Sequence, residues 1–428
     1  MANSKRRHWT IVGAAVAAVV IAAGIATAVS GGDPGEASAF GHSPAPSTAT
    51  SDPSSVVSSP GAASSARGSS SSSPASSSAP GSVPGSASGT KPAPSSSRTS
   101  QPNGMKWGLD YSDTLTFDKP DQLATALDDA KRLGMDYIRV DFGWEDHQSF
   151  ENYPPDFSKF DNVVAAANAR GLKVLATIDF PPPWARRAAC KNTAACPPAD
   201  NAVFARFVKQ AVARYSARGV HYWEVWNEPN IKAWAPAPDA ADYTRLLVTV
   251  SAAIRAADPH AYILMGGLAA DGSGEPFINP FDFITAVAKN GGLTSVDAIS
   301  YHPYPDGDPG TSKTFMAISQ SPTSIITALN QVGAPNMPIW ITETGANITA
   351  KIWGPPSAVK PQETQQVQIA KREAEVLSSY PNVASFFWFS YQDVPAEYLF
   401  FGLRREDGSY RPSFDALKQI IADAKKAR

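Results

Sequence analysis

Cysteine, histidine and excess charge are all scarce in this chain of 428 residues. The formal net charge is −2, so there is no basic field with which to bind nucleic acid. The six histidines show no spacing typical of metal ligands. We therefore expect no nucleic-acid partner, no metal and no cofactor.

Aromatic and large aliphatic side chains are nearly absent from residues 31–104, where Ser, Pro, Ala and Gly dominate. A segment of this composition cannot bury enough apolar area to offset the entropy lost on ordering. The composition predicts a disordered linker over residues 31–104.

Residues 1–30 have the pattern of an export segment. A positive head at Lys5–Arg7 precedes the uncharged run Ile11–Val29, which is about long enough to span a bilayer. Two outcomes stay open. The segment either remains as a membrane anchor with the rest of the chain outside the cell, or is cleaved near Ala28 to give a secreted protein. The long linker favours the anchor, because a tether is useful when both of its ends are held.

From Met105 onward, short strands alternate with amphipathic helices, a pattern typical of an α/β fold with a parallel sheet. Eight such units over residues 105–428 predict a (β/α)8 TIM barrel. A doubly wound open sheet is the alternative, but no Gly-x-Gly-x-x-Gly pattern follows the first strand. The predicted strands are Lys106–Tyr111, Tyr137–Phe142, Lys173–Ile178, Tyr222–Trp226, Tyr262–Gly266, Ala298–His302, Ile339–Thr342 and Ala384–Ser390. The predicted helices are Asp121–Leu133, Ser158–Arg170, Asn201–Ala217, Ala240–Ala257, Pro280–Lys289, Thr323–Val332, Gln362–Ser379 and Ser413–Lys426.

Two stretches end a strand in the same way. In each stretch an apolar, aromatic strand is followed at its carboxyl end by a glutamate. The stretches are Tyr222–Asn230, with Glu228, and Pro338–Gly345, with Glu343. In a barrel of alternating strands and helices, the carboxyl ends of the strands carry the chemistry. The alternative is that each glutamate only forms an ion pair with a lysine at the strand end. The occurrence of an aromatic strand followed by a glutamate at two places argues against it.

The runs Trp-Glu-Val-Trp-Asn-Glu-Pro and Trp-Ile-Thr-Glu-Thr-Gly resemble the clan A retaining glycoside hydrolases, most of all family 39, with family 5 close behind. The resemblance extends from Met105 to the end of the chain. It implies that Glu228 is the acid/base after strand 4 and Glu343 the nucleophile after strand 7. Retention requires two carboxyl groups about 5–5.5 Å apart with different pKa values.

Strand alternation places Tyr137, Arg139 and Asp141 on one face of the second strand, inside the barrel. The resemblance implies that Arg139 keeps the nucleophile ionised. A purely structural Arg139–Asp141 ion pair is the alternative, because a charged group inside a barrel needs a partner.

The same resemblance assigns four more residues to substrate binding. Asn227 matches an asparagine that bonds the sugar 2-hydroxyl, which requires a twist or bulge to bring it and Glu228 to one side. His302 and Tyr304 match a His-x-Tyr pattern in which the tyrosine touches the nucleophile, although His302 has a packed core residue as its alternative. Trp388 matches an aromatic floor for a sugar ring, on the inward face of the last strand. Further tryptophans fall in loops at the catalytic rim, where each is either a sugar platform or packing: Trp144, Trp184, Trp234 and Trp353.

The two cysteines, Cys190 and Cys196, are separated by five residues in the loop after the third strand. In an exported chain this spacing favours one local disulfide that shapes the loop. Two free or metal-bound thiolates are the alternative.

These observations predict an exported, monomeric enzyme that hydrolyses O-glycosidic bonds, in the β configuration, of a cell-envelope or extracellular oligo- or polysaccharide. Two other functions stay open. A transglycosylase would share the covalent intermediate, and a carbohydrate-binding barrel would bind the glycan without cleaving it. Product analysis separates the first alternative from hydrolysis, and a binding assay identifies the second.

Overall fold

The structure is a computed structural model that describes residues 104–272, 276–348, 361–395 and 399–427. Eight parallel strands follow one another in chain order and close into a barrel, because β8 pairs with β1. The predicted (β/α)8 barrel is confirmed. The strands are β1 (Lys106–Asp110), β2 (Tyr137–Gly143), β3 (Lys173–Asp179), β4 (Tyr222–Asn227), β5 (Tyr262–Ala269), β6 (Ala298–His302), β7 (Ile339–Thr344) and β8 (Val383–Phe389).

Helices lie between the strands, and all eight predicted helices are present with ends shifted by a few residues. The sequence did not predict three short helices or the single 3-10 turn at Gly292–Ser295, which are too brief to show a period. Within the described residues the α-helices are α1 (Thr114–Phe117), α2 (Pro120–Leu133), α3 (Trp144–His147), α4 (Ser158–Asn168), α5 (Asn201–Ser216), α6 (Ala240–Ala257), α7 (Pro280–Lys289), α8 (Lys313–Ser319), α9 (Ile325–Gln331), α10 (Pro361–Ser378) and α11 (Pro412–Lys426).

Side-chain caps define where the helices around β4 begin. The Asp200 side chain accepts hydrogen bonds from the backbone N–H groups in the first turn of α5, and Asp239 does the same for α6. Such a cap stabilises a helix by about 1 kcal/mol. The loops that follow β3 and β4 therefore each end at a defined residue, which limits how far the catalytic rim can move.

The main hydrophobic core lies between the barrel and its helices. On β2, Ile138, Val140 and Phe142 are fully buried there, as alternation predicts. The inward residues of β2 are Tyr137, Arg139 and Asp141, and Tyr137 belongs to a separate apolar cluster inside the barrel. Each strand therefore has both faces buried, which is typical of a parallel sheet covered by helices.

An aromatic layer fills the barrel near the amino ends of its strands. The Tyr137 ring packs edge-on against Tyr222 and Trp340, at centroid distances of 5.0 and 5.4 Å. Gly108 makes room for this layer, since a Cβ at that position would lie 2.2 Å from the Phe387 ring. We call this set the aromatic layer: Tyr137, Tyr222, Tyr262, Trp340 and Phe387.

Cys190 and Cys196 form a disulfide in the loop between β3 and α5, with their Cα atoms 5.4 Å apart. The predicted disulfide is confirmed, and the alternative of free or metal-bound thiolates is wrong. Both cysteines are buried and pack with Ala195, Ala235 and Phe180. The bond therefore lies within the loop after β3, and that loop packs against Ala235 in the loop after β4.

The export segment and linker predicted for residues 1–30 and 31–104 lie, apart from Gly104, outside the described residues. In the part of the chain that the structure describes, no helix combines the length and the apolar character needed to cross a membrane.

Candidate active site

A twist of the backbone at the end of β4 turns two consecutive residues into the barrel. Val225 and Trp226 both pack in the outer core, and Asn227 and Glu228 both reach the interior. The backbone achieves this with positive φ angles at Trp226 (+76°) and Glu228 (+46°), which are unfavourable for L-residues. Gly266 lies opposite, where a Cβ would meet the Trp226 carbonyl oxygen at 2.5 Å. The predicted break in alternation is confirmed.

Arg139 connects four side chains inside the barrel. Its Nη1 donates to Asp110 and to Glu343 Oε1, both at 2.6 Å, and its Nε donates to Glu224 Oε2 at 2.7 Å. Its Nη2 donates to Asn227 Oδ1 at 2.8 Å. The guanidinium is almost fully buried, so its single positive charge acts on these three carboxyl groups in a medium of low polarity. The alternative of an Arg139–Asp141 pair is wrong, because every guanidinium nitrogen bonds elsewhere.

Glu343 is held in its ionised form. Besides Arg139, the Tyr304 hydroxyl donates to its Oε2 at 2.8 Å, and His302 Nδ1 lies 3.7 Å from the same oxygen. Burial alone would raise the pKa of Glu343, but the charges of His302 and Arg139 and the Tyr304 hydroxyl outweigh it and hold the pKa below its usual value.

Glu228 lies in the opposite environment. Its Oε1 is 3.2 Å from His302 Nδ1, and its Oε2 is buried without a hydrogen-bond partner among the described residues. Burial raises the pKa of Glu228 above its ordinary value, and the Glu343 charge adds to the rise, although His302 opposes it. Two buried glutamates on similar strand ends therefore have pKa values shifted in opposite directions.

His302 carries a proton on Nε2 in this network. The Thr342 hydroxyl donates to Glu224 Oε1 at 2.9 Å, so it can only accept from His302 Nε2, which lies 3.0 Å away. The other nitrogen, Nδ1, faces the two glutamates. Burial lowers the pKa of His302, but the neighbouring carboxylates raise it overall. His302 and Tyr304 both lie in the site, and Glu224, Thr342 and Asp110 are members that the sequence analysis missed.

One ligand atom each from Glu228, His302 and Glu343 lie within 4.8 Å of one another. At least one oxygen of each carboxyl group is thus near the other, an arrangement compatible with the close pair of a retaining enzyme. In the described part of the chain it is also the one cluster whose spacing could hold a metal ion. The residues do not fit a metal, because Glu343 already accepts hydrogen bonds from the Arg139 guanidinium and the Tyr304 hydroxyl.

Trp388 does not lie in the site, which corrects the prediction. It aligns with Leu109 of β1 and Thr344 of β7, which both face the helices, and its indole N–H donates to the Phe401 carbonyl oxygen at 3.2 Å. Phe389 is the inward residue instead, with its ring centroid 6.0 Å from that of Tyr304. Four aromatic residues in succession, Phe386–Phe389, make both faces of β8 apolar, so the sequence does not reveal which face is inward.

The predicted rim tryptophans divide into two groups. Trp144 and Trp234 are 1% exposed, which makes them packing residues, whereas Trp184 is half-buried. Trp353 lies outside the described residues. Two rings that the sequence analysis missed, Phe150 and Tyr153, are each 68% exposed in the loop after α3, with centroids 5.8 Å apart.

A closed (β/α)8 barrel with two glutamates of opposite pKa shift at the ends of β4 and β7 defines the glycoside hydrolase class. The family model described as "Cellulase (glycosyl hydrolase family 5)" matches residues 96–392. The chain belongs to this family. The resemblance to clan A is therefore confirmed, with family 5, the second of the two families named, as the family whose model matches.

The relatives include members of both families. A β-xylosidase from Geobacillus stearothermophilus is 29% identical over 150 residues, which are 32% of this chain and 28% of that protein. A family 39 glycoside hydrolase from Bacteroides cellulosilyticus WH2 matches with a TM-score of 0.59 and 22% identity, over 76% of this chain and 64% of that one. A GH5_18 structure from Streptomyces cattleya, in complex with GlcNAc, also has a TM-score of 0.59, with 18% identity over 76% of this chain and 82% of that one. At these identities the solved structures support the fold alone.

Proposed function

We propose that the protein hydrolyses O-glycosidic bonds with retention of configuration, with Glu343 as nucleophile and Glu228 as acid/base. The single observation that carries the proposal is the contrast between the two glutamates. Their oxygens lie within 4.8 Å of one another, yet the pKa of Glu343 is lowered and that of Glu228 is raised. An ionised group beside a protonated one is what double displacement requires.

In the first step, a Glu343 oxygen attacks the anomeric carbon and forms a glycosyl ester. The bond from that carbon to the leaving oxygen breaks, and Glu228 gives its proton to the leaving group. Arg139 and Tyr304 orient the Glu343 carboxylate for this attack. In the second step, Glu228 takes a proton from water while the water oxygen attacks the anomeric carbon. The ester bond breaks and both glutamates regain their starting states.

Three further positions support a glycan substrate. Asn227 lies beside Arg139 at the end of β4, where its amide can bond a sugar 2-hydroxyl. Phe389 presents the inward ring near Tyr304 and takes the stacking role first assigned to Trp388. Phe150 and Tyr153 form an exposed aromatic pair suited to a longer glycan chain.

We also propose that the barrel works outside the cell, on a cell-envelope or extracellular glycan. The positive head Lys5–Arg7 and the apolar run Ile11–Val29 support export, and the disulfide suits an oxidising compartment. Cell fractionation and sequencing of the mature amino terminus test this. A soluble product that begins near Val29 would contradict the anchor and support secretion, whereas protein retained in the cytoplasm would contradict export.

Alanine variants of the two glutamates test the mechanism, after a screen of aryl glycosides has found a substrate for the full-length protein. Glu343→Ala should lose turnover by about 10⁴-fold or more on every substrate. Glu228→Ala should lose about 10²–10⁴-fold on poor leaving groups and much less in the first step with an activated aryl glycoside. Azide needs no base, so it should restore turnover of Glu228→Ala and give a β-glycosyl azide from a β-glycoside. Rescue of Glu343→Ala should give the inverted azide.

Near-normal activity of either variant would overturn the assignment.

The pH profile is a second check, because activity requires ionised Glu343 and protonated Glu228. We expect kcat/KM to rise with pH through a pKa below the usual glutamate value and to fall through one above it. Product analysis with an added sugar acceptor distinguishes hydrolysis from transglycosylation.

A further inference from the structure

Two aspartates lie inside the barrel on the catalytic side of Arg139. Asp141 is the next inward residue of β2 after Arg139, and Asp179 is the last residue of β3, two positions beyond the inward Thr177. The strand register pairs Asp141 with Thr177 and Asp179 with Gly143. Both carboxylates therefore belong to the wall of the candidate site on its β2–β3 side.

Neither carboxylate has a hydrogen-bond partner among the residues that the structure describes. Asp141 is 9% exposed, and no described residue bonds its side chain. Asp179 is fully buried, and both of its oxygens lack a hydrogen-bond partner. Arg139, the nearest cation on β2, directs its donors to Asp110, Glu224, Glu343 and Asn227.

The unpaired carboxylates leave the site with an excess of acidic groups. Arg139 contacts the carboxyl groups of Asp110, Glu224 and Glu343, and His302 lies beside Glu228 and Glu343, before the two aspartates are counted. A buried carboxylate without a partner destabilises a protein, unless it takes up a proton or a ligand supplies the missing charge. The pKa values of Asp141 and Asp179 are both raised by burial, which agrees with this excess.

The geometry favours an ammonium over a metal ion. Asp146 lies close by, because a Cβ at Gly143 would meet its Oδ2 at 2.8 Å. Even so, the one cluster of three ligands within 4.8 Å among the described residues is Glu228, His302 and Glu343, so the aspartates do not converge as metal ligands do. An ammonium has three N–H donors, each about 2.8 Å from its acceptor, and can bridge more widely spaced carboxylates.

We propose that Asp141 and Asp179 bind the protonated amine of an amino sugar beside the cleaved bond, so that the substrate is a glycan with free, non-acetylated amino groups. Asp141, which retains some exposure at the pocket wall, makes the direct contact. Asp179 adds a second negative charge from behind it. This inference rests on the proposed glycosidase function, because it places the amine in the substrate of that reaction.

The test compares hexosamine oligosaccharides in matched pairs, one with free amines and one fully N-acetylated, using the full-length protein. Binding is measured by calorimetry and hydrolysis by kcat/KM, at about pH 6, where a primary amine is protonated. We expect the wild-type protein to prefer the free amine at least tenfold in both measurements. Asp141→Asn and Asp179→Asn should each reduce the preference, which is the ratio between the two members of a pair, to about twofold or less. Asp121→Asn, the same chemical change at an exposed position of α2, is the matched control.

The outcomes separate this inference from the proposed function. Hydrolysis of neutral or N-acetylated glycosides without a preference for the amine would overturn the inference and keep the function. Preferential binding of the amine that Asp141→Asn abolishes, without hydrolysis of any glycoside, would keep the inference about the site and overturn the function. Equal loss on both members of a pair in a folded variant would mean that the aspartates only support the structure. If a variant fails to fold, the preference of the wild-type protein for the free amine over the N-acetylated compound still tests the inference.

Discussion

The interior of the barrel contains two regions of opposite chemistry, an aromatic layer at the amino ends of the strands and a charged layer at the carboxyl ends. On β2 the change from Tyr137 to Arg139 takes two residues, a rise of about 6.6 Å. β4 changes in the same way from Tyr222 to Glu224, and β7 from Trp340 to Thr342. Each strand therefore contributes to stability at one end and to the site at the other.

The two regions are stabilised by different forces. Ring packing stabilises the aromatic layer, and the layer loses little stabilising free energy if any one contact is imperfect. The charged layer depends on the complete set of bonds around Arg139, because removal of one partner leaves another buried charge unpaired. Substitutions in the charged layer should therefore lower both activity and stability, whereas substitutions in the aromatic layer should lower stability alone.

The largest effect should come from Arg139→Lys. Lysine keeps the charge but cannot reproduce the planar fork that bonds Asp110, Glu224 and Glu343 at once. We expect kcat/KM to fall at least about 100-fold and the free energy of unfolding to fall by roughly 3–5 kcal/mol. Steady-state kinetics and urea denaturation measure the two quantities.

Arg170→Lys is the matched control, since Arg170 pairs with the largely exposed Asp128. It should change the free energy of unfolding by less than about 1 kcal/mol and leave activity intact. If Arg139→Lys behaves like this surface variant, the charged layer is not a cooperative network.

Trp340→Ala tests the aromatic layer. The indole packs against Tyr137, Tyr222 and Tyr262, so its removal leaves a large cavity. We expect a loss of about 3–4 kcal/mol in the free energy of unfolding. The folded fraction, measured at low temperature, should keep a kcat close to that of the wild type. A large fall in kcat without a loss of stability would contradict the division into two layers.

Glu373→Gln tests what happens to a buried carboxyl group outside the Arg139 network. Glu373 on α10 is fully buried, accepts a bond from the Thr344 hydroxyl at 2.9 Å, and its other oxygen has no partner. Burial raises the pKa of Glu373 to about 8. Between about pH 4.5 and 8 the folded state keeps a proton that the unfolded state has lost, so this group makes stability fall as pH rises.

The glutamine variant lacks this titration. We expect it to match the wild type near pH 4 and to be more stable by roughly 4 kcal/mol at pH 8, in urea denaturation across that range. A difference that does not vary with pH would show that Glu373 acts through packing rather than through its proton.

The smallest effect should come from the double variant Cys190→Ala/Cys196→Ala. The disulfide closes a short loop, so its loss should lower the free energy of unfolding by no more than about 2 kcal/mol. Because the bond shapes the loop after β3, which packs against Ala235 in the loop after β4, KM for long glycans should rise more than KM for an aryl glycoside. Equal changes in both would mean that the disulfide does not shape the glycan-binding surface.

The sequence alone determined the order of the elements and the two glutamates, because both signals are local. Hydrophobic periodicity within a strand or helix is set by the geometry of that element, so all eight barrel strands were predicted. Glu228 and Glu343 were found because each ends an aromatic strand. The break in alternation between Asn227 and Glu228 also followed from the sequence, since both residues had to face one site.

The tertiary structure alone determined which charged side chains form ion pairs. Arg139 bonds residues 29, 85 and 204 positions away, and closure of the barrel places them around one guanidinium. Because closure directs the Arg139 nitrogens to these other residues, Asp141 does not form the ion pair with Arg139 that the sequence suggested. Strand register decided that Phe389 rather than Trp388 faces inward, because β8 is apolar on both faces and its own residues do not specify a direction. Local pattern determines the elements and their faces, whereas register and closure determine the contacts between distant strands.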